Sequence, residues 1–132
     1  MLDMATVVIG YVPKPEGEAA LLTGIEEGRR RGARLVVLHS RTDAEPEPGY
    51  VAEARSALAE AGVDHELRVL DGGRDTADQL VEVAEEVVAD LIVIGLRRRS
   101  PVGKLILGSN AQRVLLDAPC PVLTVRPSTG PA

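Results

Sequence analysis

Short aliphatic runs punctuate this chain: Thr6-Val7-Val8-Ile9-Gly10, Leu35-Val36-Val37-Leu38-His39, Leu91-Ile92-Val93-Ile94-Gly95 and Pro121-Val122-Leu123-Thr124-Val125. Longer amphipathic stretches separate them. This alternation constrains the fold more than any other feature. Short runs rich in Val and Ile read as strands buried on both faces, which is the situation of a parallel sheet. The stretches between them are long enough for helical crossovers, which are right-handed. The expected class is α/β, an open parallel sheet with helices on both faces. Composition agrees: 45% of residues are hydrophobic, yet there is no Phe and no Trp, so Val, Leu, Ile and Ala must build the core.

The elements can be placed individually. Strands are expected over residues 5–10, 33–39, 65–70, 91–94 and 122–125. The third alternates Leu67 and Val69 with Glu66 and Arg68, as an edge strand does. Helices are expected over residues 16–31, 50–61 and 109–116, with a loop over 41–48. Leu21, Gly24, Ile25 and Gly28 form the inner side of the first helix, opposite Glu26, Glu27 and the arginines 29–31. The third helix has the clearest signal. Asp75 caps it, Asp78 lies in its first turn, and Ala77, Leu80, Val81, Ala84, Val87 and Val88 follow helical spacing. Ala111, Val114 and Leu115 are the inward positions of the fourth. One domain over residues 1–126 and a flexible tail over 127–132 complete the plan.

Several function classes are disfavoured. A net charge of −5 argues against general nucleic-acid or acidic-membrane binding. No apolar run approaches the roughly 20 residues of a membrane span, and the amino terminus has no basic region before its apolar run. A single cysteine, Cys120, fits a reduced, cytoplasmic setting; between two prolines it reads as a small residue at a strand entry. His39 and His65 have no partners at metal-ligand spacing, and no metal site is expected. His39 is expected to be a satisfied, partly buried residue beside the crevice. A phosphoacceptor receiver domain would need acids at early strand ends, where Gly10, Val12 and Ser40 stand. No catalytic residue stands out.

Residues 95–125 carry most of the functional signal. A strand ends at Gly95, a loop with Arg97, Arg98, Arg99 and Lys104 follows, and Gly108-Ser109 opens a helix. A strand, a flexible turn and a helix start with free N–H groups form a common anion site. Ligands on such sheets bind beyond the carboxyl ends of the strands, where strand order reverses. If the first and fourth strands are neighbours, Gly10 and Gly95 face each other across one crevice. The arginines admit three readings: a solvated loop, a phosphate or ribose contact, or a protein-binding surface.

The order of elements, the ending Cys-Pro-Val-Leu-Thr-Val and the spacing Gly95, two residues, Arg98, nine residues, Gly108-Ser109 together resemble the universal stress protein family. The resemblance covers about residues 5–126. It implies a sheet of five parallel strands in the order 3-2-1-4-5 and a homodimer whose last strands, here residues 121–125, meet antiparallel. It also implies an adenine-nucleotide site. The positions matching that site are Gly10 and Ser40 near adenine, Gly95 and Arg98 in the turn, and Gly108, Ser109 and Asn110 at phosphate. Arg98 stands where nucleotide-binding members carry a second glycine. Val12 stands where they carry a ribose-binding acid. The expected function is a stress-response regulator that holds ATP or another adenine nucleotide and acts through an unidentified protein partner. The alternatives are a nucleotide-free dimeric scaffold of the same fold and, third, a weak ATP hydrolase.

Overall fold

A computed structural model describes residues 4–41, 49–72, 74–97 and 107–127. Five strands form one sheet in the order β3-β2-β1-β4-β5, and each neighbouring pair is parallel. The elements are β1 (Thr6–Tyr11), α1 (Pro15–Arg31), β2 (Arg34–Arg41), α2 (Gly49–Ala61), β3 (His65–Asp71), α3 (Thr76–Glu86), β4 (Leu91–Gly95), α4 (Ser109–Asp117) and β5 (Val122–Val125).

The period of two along each strand sends alternate residues to opposite faces. Val7, Ile9, Leu35, Val37, Leu91 and Val93 pack with Ala20, Leu21 and Ile25 of α1 and Ala54 and Leu58 of α2. Val8, Val36, Leu38, Ile92 and Ile94 pack with Ala77, Leu80, Val83 and Ala84 of α3 and Val114 of α4. The expected two-faced aliphatic core is thus observed. Among the described residues, no helix is long and apolar enough to cross a membrane.

Some boundaries and faces differ from expectation. β2 continues through Arg41, where a loop was expected, because Ser40 pairs with Leu70 and Arg41 with Asp71. On β3, Leu70 is buried while Val69 is 43% exposed. The edge strand packs lightly on both faces, so the Leu67/Val69 alternation did not identify its buried side. α3 ends at Glu86. Val87 caps it, and Val88 has φ 52° and is 78% exposed. Ala89 N–H bonds to the Ala84 carbonyl at 2.9 Å and Val88 N–H to the Glu85 carbonyl at 3.2 Å, a left-handed cap that turns the chain into β4. Gln79 and Val83 are buried, Val87 is partly buried against the core as expected, and Val88 is not buried. Gln79 reaches the α3 entrance: its side-chain amide donates to the Asp71 carbonyl at 2.8 Å, and its oxygen accepts from Asp71 N–H at 3.0 Å. Leu115, expected inward, is 40% exposed, and Leu116 is 84% exposed.

The ends of the sheet differ in their protection. On the β3 side, Arg34, Glu66, Arg68 and Glu86 form a chain of ion pairs, with Arg68–Glu66 at 3.0 Å and Arg68–Glu86 at 2.9 Å. Two hydrogen bonds from Arg68 and Glu66's further pairing with Arg34 hold the Glu66 carboxyl below its ordinary pKa. On the other side, β5 pairs only with β4 among the described residues.

Candidate functional site

The strand order reverses between β1 and β4: one strand feeds α1 toward β2, the other leads to α4 and β5. Their carboxyl ends therefore diverge into a crevice. Gly10 and Gly95, which the sequence suggested as the two walls of one crevice, both line it. Two adjoining cavities occupy it. The first, about 170 Å³, is walled mainly by Leu38, Leu70, Ala77, Leu80, Ile94 and Val114, with Gly10, Tyr11 and Ser40 at its strand end. The second, about 280 Å³, is lined by Lys14, Leu96, Arg97, Gly108 and Ser109. Val12, Glu16, Gly95, Asn110 and Ala111 line both.

The second cavity has the chemistry of an anion site. Two helices start at it, α1 after Lys14 and α4 after Gly108. Neither start has a side-chain cap. Gln112 N–H bonds to the Gly108 carbonyl at 3.0 Å, which leaves the N–H groups of Ser109, Asn110 and Ala111 without intrahelical acceptors. Pro15 sets the first turn of α1, and Glu18 N–H bonds to the Lys14 carbonyl at 2.9 Å. Both helix dipoles thus present their positive ends to one space. Lys14 and Arg97 add full charges. The Arg97 guanidinium lies beside Gly108: a Cβ there would be 3.5 Å from Nη2.

The two floor glycines serve different purposes. A Cβ at Gly95 would lie far inside contact distance of the Glu16 carbonyl, so this glycine lets the first turn of α1 seat on β4. A Cβ at Gly10 would meet only side-chain tips, Leu80 Cδ1 at 3.1 Å and Ile94 Cγ2 at 3.3 Å. Gly10 keeps the first cavity open.

Of the residues selected from sequence, Gly10, Ser40, Gly95, Gly108, Ser109 and Asn110 all line this crevice. Arg98 lies outside the described residues, as do Arg99 and Lys104. Val12 stands at the lip, 41% exposed, where both cavities meet. Sequence reasoning missed Lys14 and Glu16. Residue type and spacing do not mark them; the seating of the α1 start on Gly95 brings them to the crevice. α4 is anchored across the cavity mouth by Arg113, whose guanidinium contacts Asp75 at 3.0 Å and Asp78 at 3.2 Å. Asp75 also caps α3, accepting from Asp78 N–H at 3.0 Å.

His39 does not belong to the crevice. β2 continues past it, and its ring points to the α1 and α2 face, 2% exposed. Nε2 lies 3.0 Å from the Tyr50 hydroxyl, and the ring meets Tyr11 and Tyr50 edge-on. Nδ1 has no hydrogen bond of normal geometry. The expectation of a fully satisfied, partly buried histidine is therefore corrected: this ring is almost wholly buried and half satisfied. Burial holds its pKa below the ordinary value, and the Tyr11 backbone partly opposes that effect. Beside it, burial and a 2.7 Å hydrogen bond to Glu18 push the Tyr11 phenol up. Cys120 is half-buried at the entry to β5, and burial raises its thiol pKa. Among the described residues, no three His, Cys, Asp or Glu side chains gather as a metal site.

Known proteins share this arrangement. The model of the universal stress protein family matches residues 4–126. A universal stress protein of Mycolicibacterium smegmatis is 42% identical over 127 residues, covering 92% of this chain and 97% of its own. A universal stress protein from Archaeoglobus fulgidus, solved in complex with dAMP, is 29% identical with TM-score 0.70, covering 95% of this chain and 99% of its own. Another universal stress protein, solved in complex with cAMP, is 29% identical with TM-score 0.76 over 95% of this chain and 98% of that one. The family match spans nearly the whole chain, and the relatives are similar over almost their full length: this chain belongs to the universal stress protein family.

Proposed function

We propose that this chain is a cytoplasmic regulatory homodimer that holds an adenine nucleotide in the crevice between β1 and β4. One observation carries the reading: an apolar cavity adjoins a cavity onto which two uncapped helix starts, Lys14 and Arg97 converge. A planar base suits the first and a phosphate the second. The complexes of similar proteins with dAMP and cAMP support the same ligand class. Gly10 and Ser40 would flank the base, Gly95 would underlie the ribose, and Gly108, Ser109 and Asn110 would meet the phosphate. Calorimetric titration with ATP, ADP, AMP and cyclic AMP tests this.

The dimer would form through β5. Ile92 N–H bonds to the Pro121 carbonyl at 3.0 Å and Leu96 N–H to the Val125 carbonyl at 2.9 Å. The parallel ladder therefore uses the backbone of Leu123 and Val125 toward β4 and turns that of Val122 and Thr124 outward. An outward row of this kind favours pairing with a second strand.

Val12 favours a second reading, a nucleotide-free dimeric scaffold. This exposed aliphatic side chain at the crevice lip offers no acceptor to a ribose hydroxyl. In that case no nucleotide produces heat at millimolar concentration, while the dimer persists. Phosphate release abolished by Ser109→Ala would be required for ATP hydrolysis.

A further inference from the structure

Lys14 and Arg97 stand apart from most cations of this chain. With 20 acidic and 15 basic residues, carboxylates are in excess, and a described arginine usually holds one. Arg34 and Arg68 share Glu66, and Arg113 holds Asp75 and Asp78. Among the described residues, Lys14 and Arg97 form neither an ion pair nor a side-chain hydrogen bond, although Glu16 lines the second cavity with them. Arg126 is also unpaired, but it lines neither cavity. The backbone fixes the place of Lys14. Pro15 keeps the residue before it out of helical geometry, and Lys14 stands at φ −141°, ψ 164°. Its N–H donates to the Val12 carbonyl at 2.8 Å, and its carbonyl accepts from Glu18 N–H at 2.9 Å. Lys14 is thus held at the α1 end of the cavity, whereas the Arg97 guanidinium lies beside Gly108 at the α4 end.

We infer that Lys14 selects for the length of the phosphate chain: it receives the second phosphate of a nucleotide whose first phosphate sits beside Arg97, so that the chain prefers a nucleoside diphosphate to the monophosphate. The inference rests on the nucleotide reading above. Where the two cavities join, the α1 side presents the acidic Glu16 and the α4 side presents Asn110 and Ala111. A phosphate leaving the apolar cavity is repelled by the first and directed to the second, where Arg97 meets it. Lys14 lines only the second cavity. It is the cation left for the next phosphate, and a monophosphate leaves it without a partner. A lysine ammonium is a compact charge on a flexible stem, so it needs no fixed geometry to make this contact. Lys14 is exposed, and solvent screening holds its contribution to about fivefold in affinity, below the roughly tenfold of a sheltered charge-assisted hydrogen bond.

The test titrates ADP and AMP by calorimetry into the wild-type protein, Lys14→Met and Lys14→Arg. Methionine keeps an unbranched stem and removes the charge, and arginine restores the charge. The wild type is expected to bind ADP about fivefold more tightly than AMP. Lys14→Met should reduce that preference to less than about twofold while its affinity for AMP stays within about twofold of the wild type, and Lys14→Arg should keep the preference. Equal affinity of the wild type for the two nucleotides overturns the role of Lys14. So does a preference that Lys14→Met retains or Lys14→Arg loses, or an equal loss of affinity for both nucleotides. Each of these results leaves the nucleotide reading standing. Failure of the wild type to bind either nucleotide overturns the nucleotide reading and this inference with it.

Discussion

The carbonyl of Glu16 lies directly over the α-carbon of Gly95, so close that β4 cannot carry a side chain there. The contact joins the start of α1 to the end of β4 and sets the width of the crevice. Gly95→Ala should lower stability by about 1–3 kcal/mol, because backbone must move against backbone. Gly10→Ala displaces only the tips of Leu80 and Ile94 and should cost less, about 1 kcal/mol. Urea denaturation of the two variants should give the larger drop in midpoint for Gly95→Ala.

Val88 is a β-branched residue in left-handed backbone, exposed and without packing to lose. Valine is strained there by roughly 1–2 kcal/mol, and glycine is the usual occupant of this cap. Val88→Gly should therefore stabilise the protein by about 1 kcal/mol, after allowing for the greater freedom of glycine in the unfolded chain. A melting temperature equal to or below that of the wild type would contradict this account of the cap.

Val88 also marks where reading the chain reaches its limit. The aliphatic runs and the Asp75 cap were legible because hydrophobic period and capping chemistry are local. The helical spacing through Val87 and Val88 was a continuation of pattern, and the turn into β4 overrode it. The site divides similarly. Gly10, Gly95, Gly108 and Ser109 stand out by residue type and spacing. Lys14 and Glu16 do not, because a lysine and a glutamate near a proline resemble any solvated helix start. Only the close seating of α1 on Gly95 brings them to the crevice. The face chosen by Leu70, and the exposure of Leu115, depend on how much cover a helix gives a neighbouring strand, which no single segment encodes.

His39 should leave a mark on the pH dependence of stability. Burial lowers its folded pKa beneath the ordinary 6.5, so the folded state binds its proton less readily than the unfolded state. The contribution is complete above pH 6.5 and is lost as pH falls through the lower folded value. Thermal melts between pH 7.5 and 5 should fall for the wild type, while His39→Gln, which can still reach Tyr50, should flatten that part of the profile. A parallel decline in both proteins would assign the effect to other groups.

Thr124 should control assembly. Its N–H faces away from β4, so proline at this position removes an outward donor and spares the β4 ladder. Light scattering should give twice the 14.0 kDa chain mass for the wild type and the single mass for Thr124→Pro. A dimer that survives the substitution would place the contact elsewhere, and the exposed Leu115 and Leu116 of α4 would be the next residues to test.

Calorimetry tests directly whether the joined cavities hold an adenine nucleotide. ATP, ADP, AMP and cyclic AMP are titrated into the wild type and into Gly10→Val, which fills the space beside Leu80 and Ile94. At least one nucleotide should bind the wild type with one site per chain and a dissociation constant below the millimolar range, and Gly10→Val should weaken it by at least tenfold. No heat from any of the four at millimolar concentration, or equal affinity in the filled variant, would contradict the claim.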